Sequence, residues 1–186
     1  MRRISSLLAA AIAVTAFATP AAAQSTDNPS WGVVAGIGLG YGTVDKNSSR
    51  EMKATVNGGL FADLPISARW GFRPEIKFDH RDISIGNVPT QLNYISVPLL
   101  FRNNIKGLYM VQGVSINTIA SASIFDVDFK SIYNSPDIAL VIGAGKRTNR
   151  IGIDVRWESG FRTFQKNISS GVRMRAITAN VSYHFK

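Results

Sequence analysis

The chain has 186 residues, 45% of them apolar and 18% charged, with no cysteine and a formal charge of +9. That is one domain's worth of sequence, too apolar for a disordered chain. Lack of cysteine excludes disulfide scaffolds, zinc fingers, thiol catalysis and iron–sulfur clusters, so stability must come from packing and hydrogen bonding.

Arg2 and Arg3 precede an apolar run from Ile4 to Phe17, and Ala21-Ala22-Ala23 stands before Gln24. A charged start, a short greasy stretch and small residues at the cleavage point predict a secretory signal peptide over residues 1–23 and a single domain over 24–186. Later apolar runs fall well short of the ~18 residues of a spanning helix. The longest, Ile138 to Ala144, contains a glycine.

From Trp31 onward the hydrophobic period is two, which predicts β-strands. Trp31, Val33, Ala35, Ile37, Leu39 and Tyr41 alternate with glycines at 32, 36, 38, 40 and 42. The second strand, Lys53 to Leu64, sets Ala54, Val56, Leu60, Ala62 and Leu64 against Thr55, Asn57, Gly59 and Asp63. The third begins near Arg69 and sets Trp70, Phe72, Ile76 and Phe78 against Arg73, Glu75, Lys77, Asp79 and Arg81, an unbroken charged face. In the fourth, Gln91 to Arg102, Ile95, Val97, Leu99 and Phe101 oppose Tyr94, Ser96, Pro98 and Arg102. The fifth, Leu108 to Ala120, has apolar residues in both registers, and its orientation stays open. The sixth sets Ile138, Leu140, Ile142 and Ala144 against Asp137, Val141, Gly143 and Gly145. The seventh sets Ile151, Ile153, Val155, Trp157 and Phe161 against Asp154, Arg156, Glu158 and Arg162. The last sets Ile177, Ala179, Val181, Tyr183 and Phe185 against Thr178, Asn180, Ser182 and His184.

Connectors alternate in length. Long ones are expected over Asp45–Met52, Ile83–Thr90, Ser121–Pro136 and Phe164–Arg173, and tight ones over Leu64–Ser67, Asn103–Gly107 and Thr148–Arg150. Even strand number, strands near the about 9–11 residues of a tilted span, and loops long at one end only describe an all-β, eight-stranded antiparallel up-and-down transmembrane β-barrel of the bacterial outer membrane. A soluble barrel shares the alternation, so face content must decide. The polar faces here hold glycines and charges of mixed sign, and aromatics gather at strand ends: Trp31, Tyr41, Trp70, Phe78, Phe101, Tyr109, Tyr183 and Phe185. Small residues and paired charges suit a narrow lumen, and aromatics at the ends suit two interfacial girdles.

In such a ring the third and seventh strands lie opposite one another. Counting from the tight-turn end pairs Arg73 with Asp154, Glu75 with Arg156 and Lys77 with Glu158, each of opposite sign. With Asp79 and Arg162 these form an expected lumen charge network, since an unpaired buried ion costs several kcal/mol.

The stretch Leu92-Asn93-Tyr94-Ile95-Ser96-Val97-Pro98-Leu99-Leu100-Phe101 resembles the Tyr-x-x-(Ile/Val)-Pro-Leu-Leu signature of the PorT-like outer-membrane β-barrel proteins. Gly143-x-Gly145 followed by Ile153-Asp154-Val155-Arg156-Trp157 is similar to that family's glycine strand and the strand after it. The resemblance implies an eight-stranded barrel inserted by the outer-membrane assembly machinery, which reads a final strand ending in an aromatic; here Lys186 follows Phe185. Some members are linked to protein secretion.

No cofactor is expected. Only His80 and His184 are available to a serine-histidine-acid site, the requirement of a lipid-modifying hydrolase or acyltransferase. Asp126 and Asp128 are the loop carboxylates that calcium would use, and solvation alone also accounts for them. Glycine spacing of two throughout Gly36 to Gly42 belongs to a strand face, not to a dinucleotide turn, and Gly145-Lys146 lacks the rest of a phosphate loop. An exported chain has no use for nucleic acid. Its excess positive charge is expected at two rims: Arg102, Lys106, Lys146, Arg147, Arg150 and Lys186 against anionic headgroups, and Lys46, Arg50, Lys166, Arg173 and Arg175 against lipopolysaccharide phosphates, with simple solubilisation as the alternative. The reading is therefore a structural barrel or surface-loop interaction module without catalysis, its protein partner unassigned, with a lipid-modifying enzyme, a narrow pore or a secretion-associated barrel as alternatives.

Overall fold

The structure, a computed structural model, describes residues 28–43, 52–85, 88–105, 107–124, 127–128, 136–161 and 173–185. At 43, 83–85, 88–90, 123–124 and 127–128 it describes the backbone alone. The expected signal peptide and Arg162 lie outside these residues.

The long strands are β1 (Ser30–Thr43), β2 (Lys53–Pro65), β3 (Trp70–Ile85), β4 (Val88–Ile105), β5 (Leu108–Ile124), β7 (Asp137–Thr148), β8 (Ile151–Gly160) and β9 (Arg173–Phe185). Every neighbouring pair is antiparallel, β1 pairs with β9, and a β5–β7 ladder carries the sheet past the two-residue β6 (Val127–Asp128). Among the described residues, these eight close into a barrel with no open edge. No described helix is long and apolar enough to cross a membrane.

Turn chemistry sets one end of the ring. Gly107 takes φ 85° between β4 and β5, a conformation open to glycine, and Asn149 takes φ 50° in the two-residue turn joining β7 to β8. Trp31 pairs with Phe185, so both ends of the described chain lie at this rim. At the opposite rim one expectation fails: β3 and β4 stay paired to Ile85↔Val88, so the connector is 86–87 and not a long loop over Ile83–Thr90. Pro89 stands in β4 opposite Ser84, but β4–β5 pairing ends at Gln91↔Ser123, so on that side Pro89 faces no ladder that needs its missing N–H.

Side-chain orientation is inside-out relative to a soluble barrel. Val155 is 53% and Val181 55% exposed, whereas Asp154 is 2% and Arg156 3% exposed. Strand β5 settles into one register: Tyr109, Val111, Ser115, Asn117 and Ile119 are buried inside, and Leu108, Met110, Val114 and Ile116 face out. Tyr109 therefore leaves the aromatic girdle to which its position near a strand end assigns it. The lumen is also greasier than small residues and charges alone would make it. Phe61, Leu92, Leu100, Val111 and Val141 are buried there, and Leu100, Tyr109, Val111 and Val141 form one cluster.

Two features of the wall shape that interior. Pro74 and Pro98 have no N–H to donate, and paired positions are missing at 62–63 against 73–74 and at 75–76 against 97–98. Glycine permits close strand approach elsewhere: a Cβ on Gly113 would overlap the Leu99 carbonyl oxygen, whereas one on Gly58 would meet only the Val34 oxygen at 3.8 Å. Gly113→Val should therefore lower the unfolding free energy by about 1–3 kcal/mol. Gly58→Ala should leave it unchanged, both read from urea unfolding of the barrel in lipid vesicles.

Candidate functional site: the lumen charge network

Period-two alternation on β3 sends Arg73, Glu75, Lys77, Asp79 and Arg81 inward together, all buried. The same period on β8 sends in Asp154, Arg156 and Glu158. Three ring strands, β2, β1 and β9, separate β3 from β8 on one side, which puts the two on opposite walls.

Arg156 and Glu75 meet across the lumen. Arg156 Nη1 donates to Glu75 Oε2 at 2.7 Å and Nη2 to Oε1 at 3.0 Å, a two-pronged, charge-assisted contact. Arg156 also donates from Nε to Asp154 Oδ1 at 2.7 Å, and Arg73 Nε reaches Glu75 Oε1 at 2.8 Å. Asp154 is held further by the Tyr109 hydroxyl and by Asn180 Nδ2, each at 2.9 Å. The Arg73 guanidinium lies over the Phe61 ring, 3.8 Å from its centroid. Charge, hydroxyl, amide and aromatic ring thus fill the cross-section together.

The other two expected pairings give way to different partners. Arg73 binds Glu75 in place of Asp154. Glu158 is engaged by Arg81 Nη2 at 3.1 Å and Asn117 Nδ2 at 2.7 Å, while Lys77 Nζ lies 3.7 Å from Asp79 on its own strand. Asp79 also accepts from Ser96 Oγ and lies 3.7 Å from Arg81. Geometry accounts for the change. Barrel strands tilt by about 35–45°, so strands on opposite walls cross steeply when viewed through the lumen. Equal depth and closest approach therefore coincide at one level only, and side-chain reach sets the pairs: Glu75 meets Arg156, and Arg81, further along β3, meets Glu158.

A second cluster closes the tight-turn end. Asp63 Oδ2 accepts from Arg102 Nη1 at 2.7 Å and lies 3.7 Å from Arg147 and 3.4 Å from His184 Nδ1. A vestibule of about 440 Å³ opens beside Asp63, Arg102 and Tyr109. Arg102, expected to meet lipid headgroups, is buried inside against Asp63. Sequence reasoning missed Asp63, Arg81, Arg102, Tyr109, Asn117 and Asn180 as members of these networks. Their inward register was visible for all but the β5 pair; their partners were not.

Among the described residues the histidines do not assemble a triad. A triad base holds its nucleophile on one ring nitrogen and its acid on the other. At His184, Ser30 Oγ and Asp63 Oδ2 both approach Nδ1, each at 3.4 Å. His80 contacts Asn93 Oδ1 at 2.7 Å and Asp82 at 3.5 Å. Among the described residues no group of three His, Asp or Glu side chains gathers as metal ligands. Asp126 lies outside them, and for Asp128 the backbone alone is described.

Comparison with known proteins bears on the whole ring. A family model described as outer membrane protein beta-barrel domain matches residues 9–185. No curated protein sequence matches the chain. Among solved structures, neisserial surface protein A is similar over 86% of this chain and 100% of that one, at 14% identity and a TM-score of 0.61. The attachment invasion locus protein Ail of Yersinia pestis is similar over the same shares, at 15% identity and a TM-score of 0.52. Ail has also been solved with the heparin analogue sucrose octasulfate, at 13% identity and a TM-score of 0.51. At these identities the likeness establishes the fold.

Breaking a buried pair strands a charge at a cost of about 3–5 kcal/mol. Glu75→Arg or Arg156→Glu alone should destabilise the barrel by at least that amount, and the double exchange should restore only the part due to that pair, because each exchanged charge then faces a like charge, Arg73 or Asp154. Rescue of Glu158→Lys should come from Arg81→Glu and not from Lys77→Glu, measured as the urea midpoint in vesicles.

Proposed function

Because the chain belongs to the outer membrane protein beta-barrel domain family, we propose that it is a sealed barrel whose role is structural or is exercised through its surface loops. Its membrane is the bacterial outer membrane. The observation that carries the reading is the crossed lumen: Arg156 bound to Glu75 and Asp154, with Arg73, Tyr109 and Phe61 packed around them, occupies the path an ion would take. A conducting barrel of this family type needs a water-filled bore, and eight strands leave room for little more than side chains.

In this proposal the tight-turn rim faces the periplasm and the long connectors face outward, as outer-membrane barrels arrange them. A signal peptide over 1–23 delivers the chain, the assembly machinery inserts it, and lipids and lipopolysaccharide surround it. The finer, PorT-like assignment rests on the stretch from Tyr94 to Leu100 and on Gly143-x-Gly145. The shared Nδ1 contacts of His184 favour a non-catalytic reading over a lipid-modifying one.

Planar-bilayer recording tests the seal. The native barrel, its folding verified by faster migration of unheated than of boiled samples, should pass no steady current. A triple variant Arg73→Ala, Glu75→Ala, Arg156→Ala should conduct. Steady conductance from the folded native protein would overturn the reading.

A further inference from the structure

We propose that the outer face of the β7–β8 turn is a binding site for one anionic glycerophospholipid of the surrounding leaflet. The inference rests on the membrane-embedded reading above and adds to it a specific occupant. The basic residues expected at this rim divide into two groups in the structure. Arg102 and Arg147 turn inward toward Asp63, whereas Lys146 and Arg150 stay exposed on the outside. A groove of about 1190 Å³ runs past these two cations and Arg147, between Asn28 and the end of β9, and among the described residues no carboxylate lines it.

The groove is held in shape by the backbone. Asn149 sets the turn, and the Arg150 carbonyl accepts from the His184 N–H at 2.8 Å, which ties the turn to β9. Arg150 Nη1 donates to the Tyr183 hydroxyl at 3.3 Å, placing a guanidinium and a phenol side by side. Lys146 stands opposite Ile153 in the ladder, and Ile151, at 51%, and Ile153, at 57%, are exposed on the lipid-facing side. Two cations and a hydroxyl therefore border an apolar strip, Lys146 beside Ile153 and Tyr183 beside Ile151. That is the complement of a phosphodiester head with its acyl chain lying along the wall. A free phosphate would use the polar groups alone, and a zwitterionic lipid would bring, with the same phosphodiester, an ammonium group that the two cations repel.

Each cation near a membrane surface contributes about five-fold in affinity for an anionic lipid, so the pair should give a preference of roughly twenty-fold. The test reconstitutes the full chain in phosphatidylcholine vesicles containing a minor share of phosphatidylglycerol, releases it into mild detergent and counts retained lipids by native mass spectrometry. The native protein should keep one phosphatidylglycerol. Lys146→Gln with Arg150→Gln should lose it, Lys146→Arg with Arg150→Lys should keep most of it, and Arg173→Gln at the opposite rim should change nothing. Equal retention of the two lipids, unchanged retention in the double Gln variant, or displacement by inorganic phosphate would each overturn the proposal. Migration of unheated and boiled samples reports separately whether the barrel is folded, so loss of the site and loss of the barrel reading give different results.

Discussion

The contact between Glu75 and Arg156 is the point at which the constraints on this barrel meet. A closed ring of tilted strands with hydrocarbon outside must send its polar side chains inward, where ions lose their water. The ions can stay charged only by finding one another, and opposite strands come within reach at the level where they cross. Glu75 and Arg156 meet in this way, Arg73 and Asp154 complete the hydrogen bonds that the two cannot give each other, and Tyr109 and Asn180 hold Asp154 in turn.

The wall and the filling are matched. Gly113 lets neighbouring strands approach where a Cβ would collide with a carbonyl, and beside Gly32, Gly143 and Gly145 the space is taken by Phe61, Arg156 and Tyr109. Apolar residues take part as well: Leu100, Val111 and Val141 pack beside Tyr109, so the interior combines a small hydrophobic core with an ionic one. Phe61 serves both, burying its ring and offering its face to the Arg73 guanidinium. Pro74 and Pro98 interrupt the hydrogen-bond ladder on both sides of β3 next to Glu75, so side-chain contacts across the lumen reinforce the wall where its backbone pairing is thinnest.

The tight-turn rim divides its positive charge between inside and outside. At the turn end, Asp63 draws Arg102 and Arg147 inward and leaves Lys146 and Arg150 facing out. Period-two alternation on β7 turns Arg147 in and Lys146 out, and the buried Asp63 carboxylate meets the basic residues that point inside. His184 is enclosed in the same cluster, with Ser30 and Asp63 on the same ring nitrogen.

Strand number, inside-out orientation and the identity of most inward residues follow from the sequence alone, because period-two alternation is a local property and each strand of the ring displays it. The charged run from Arg73 to Arg81 and the Asp154–Arg156–Glu158 alternation are legible for that reason. Strand β5 was not legible, since both its registers are apolar enough to face lipid and the choice is made by what Tyr109, Ser115 and Asn117 meet inside. Partner choice across the lumen was legible only for Glu75 and Arg156. Arg81 with Glu158, and Arg102 with Asp63, depend on strand tilt, stagger and side-chain reach, which exist only once the ring has closed and no stretch of sequence encodes by itself.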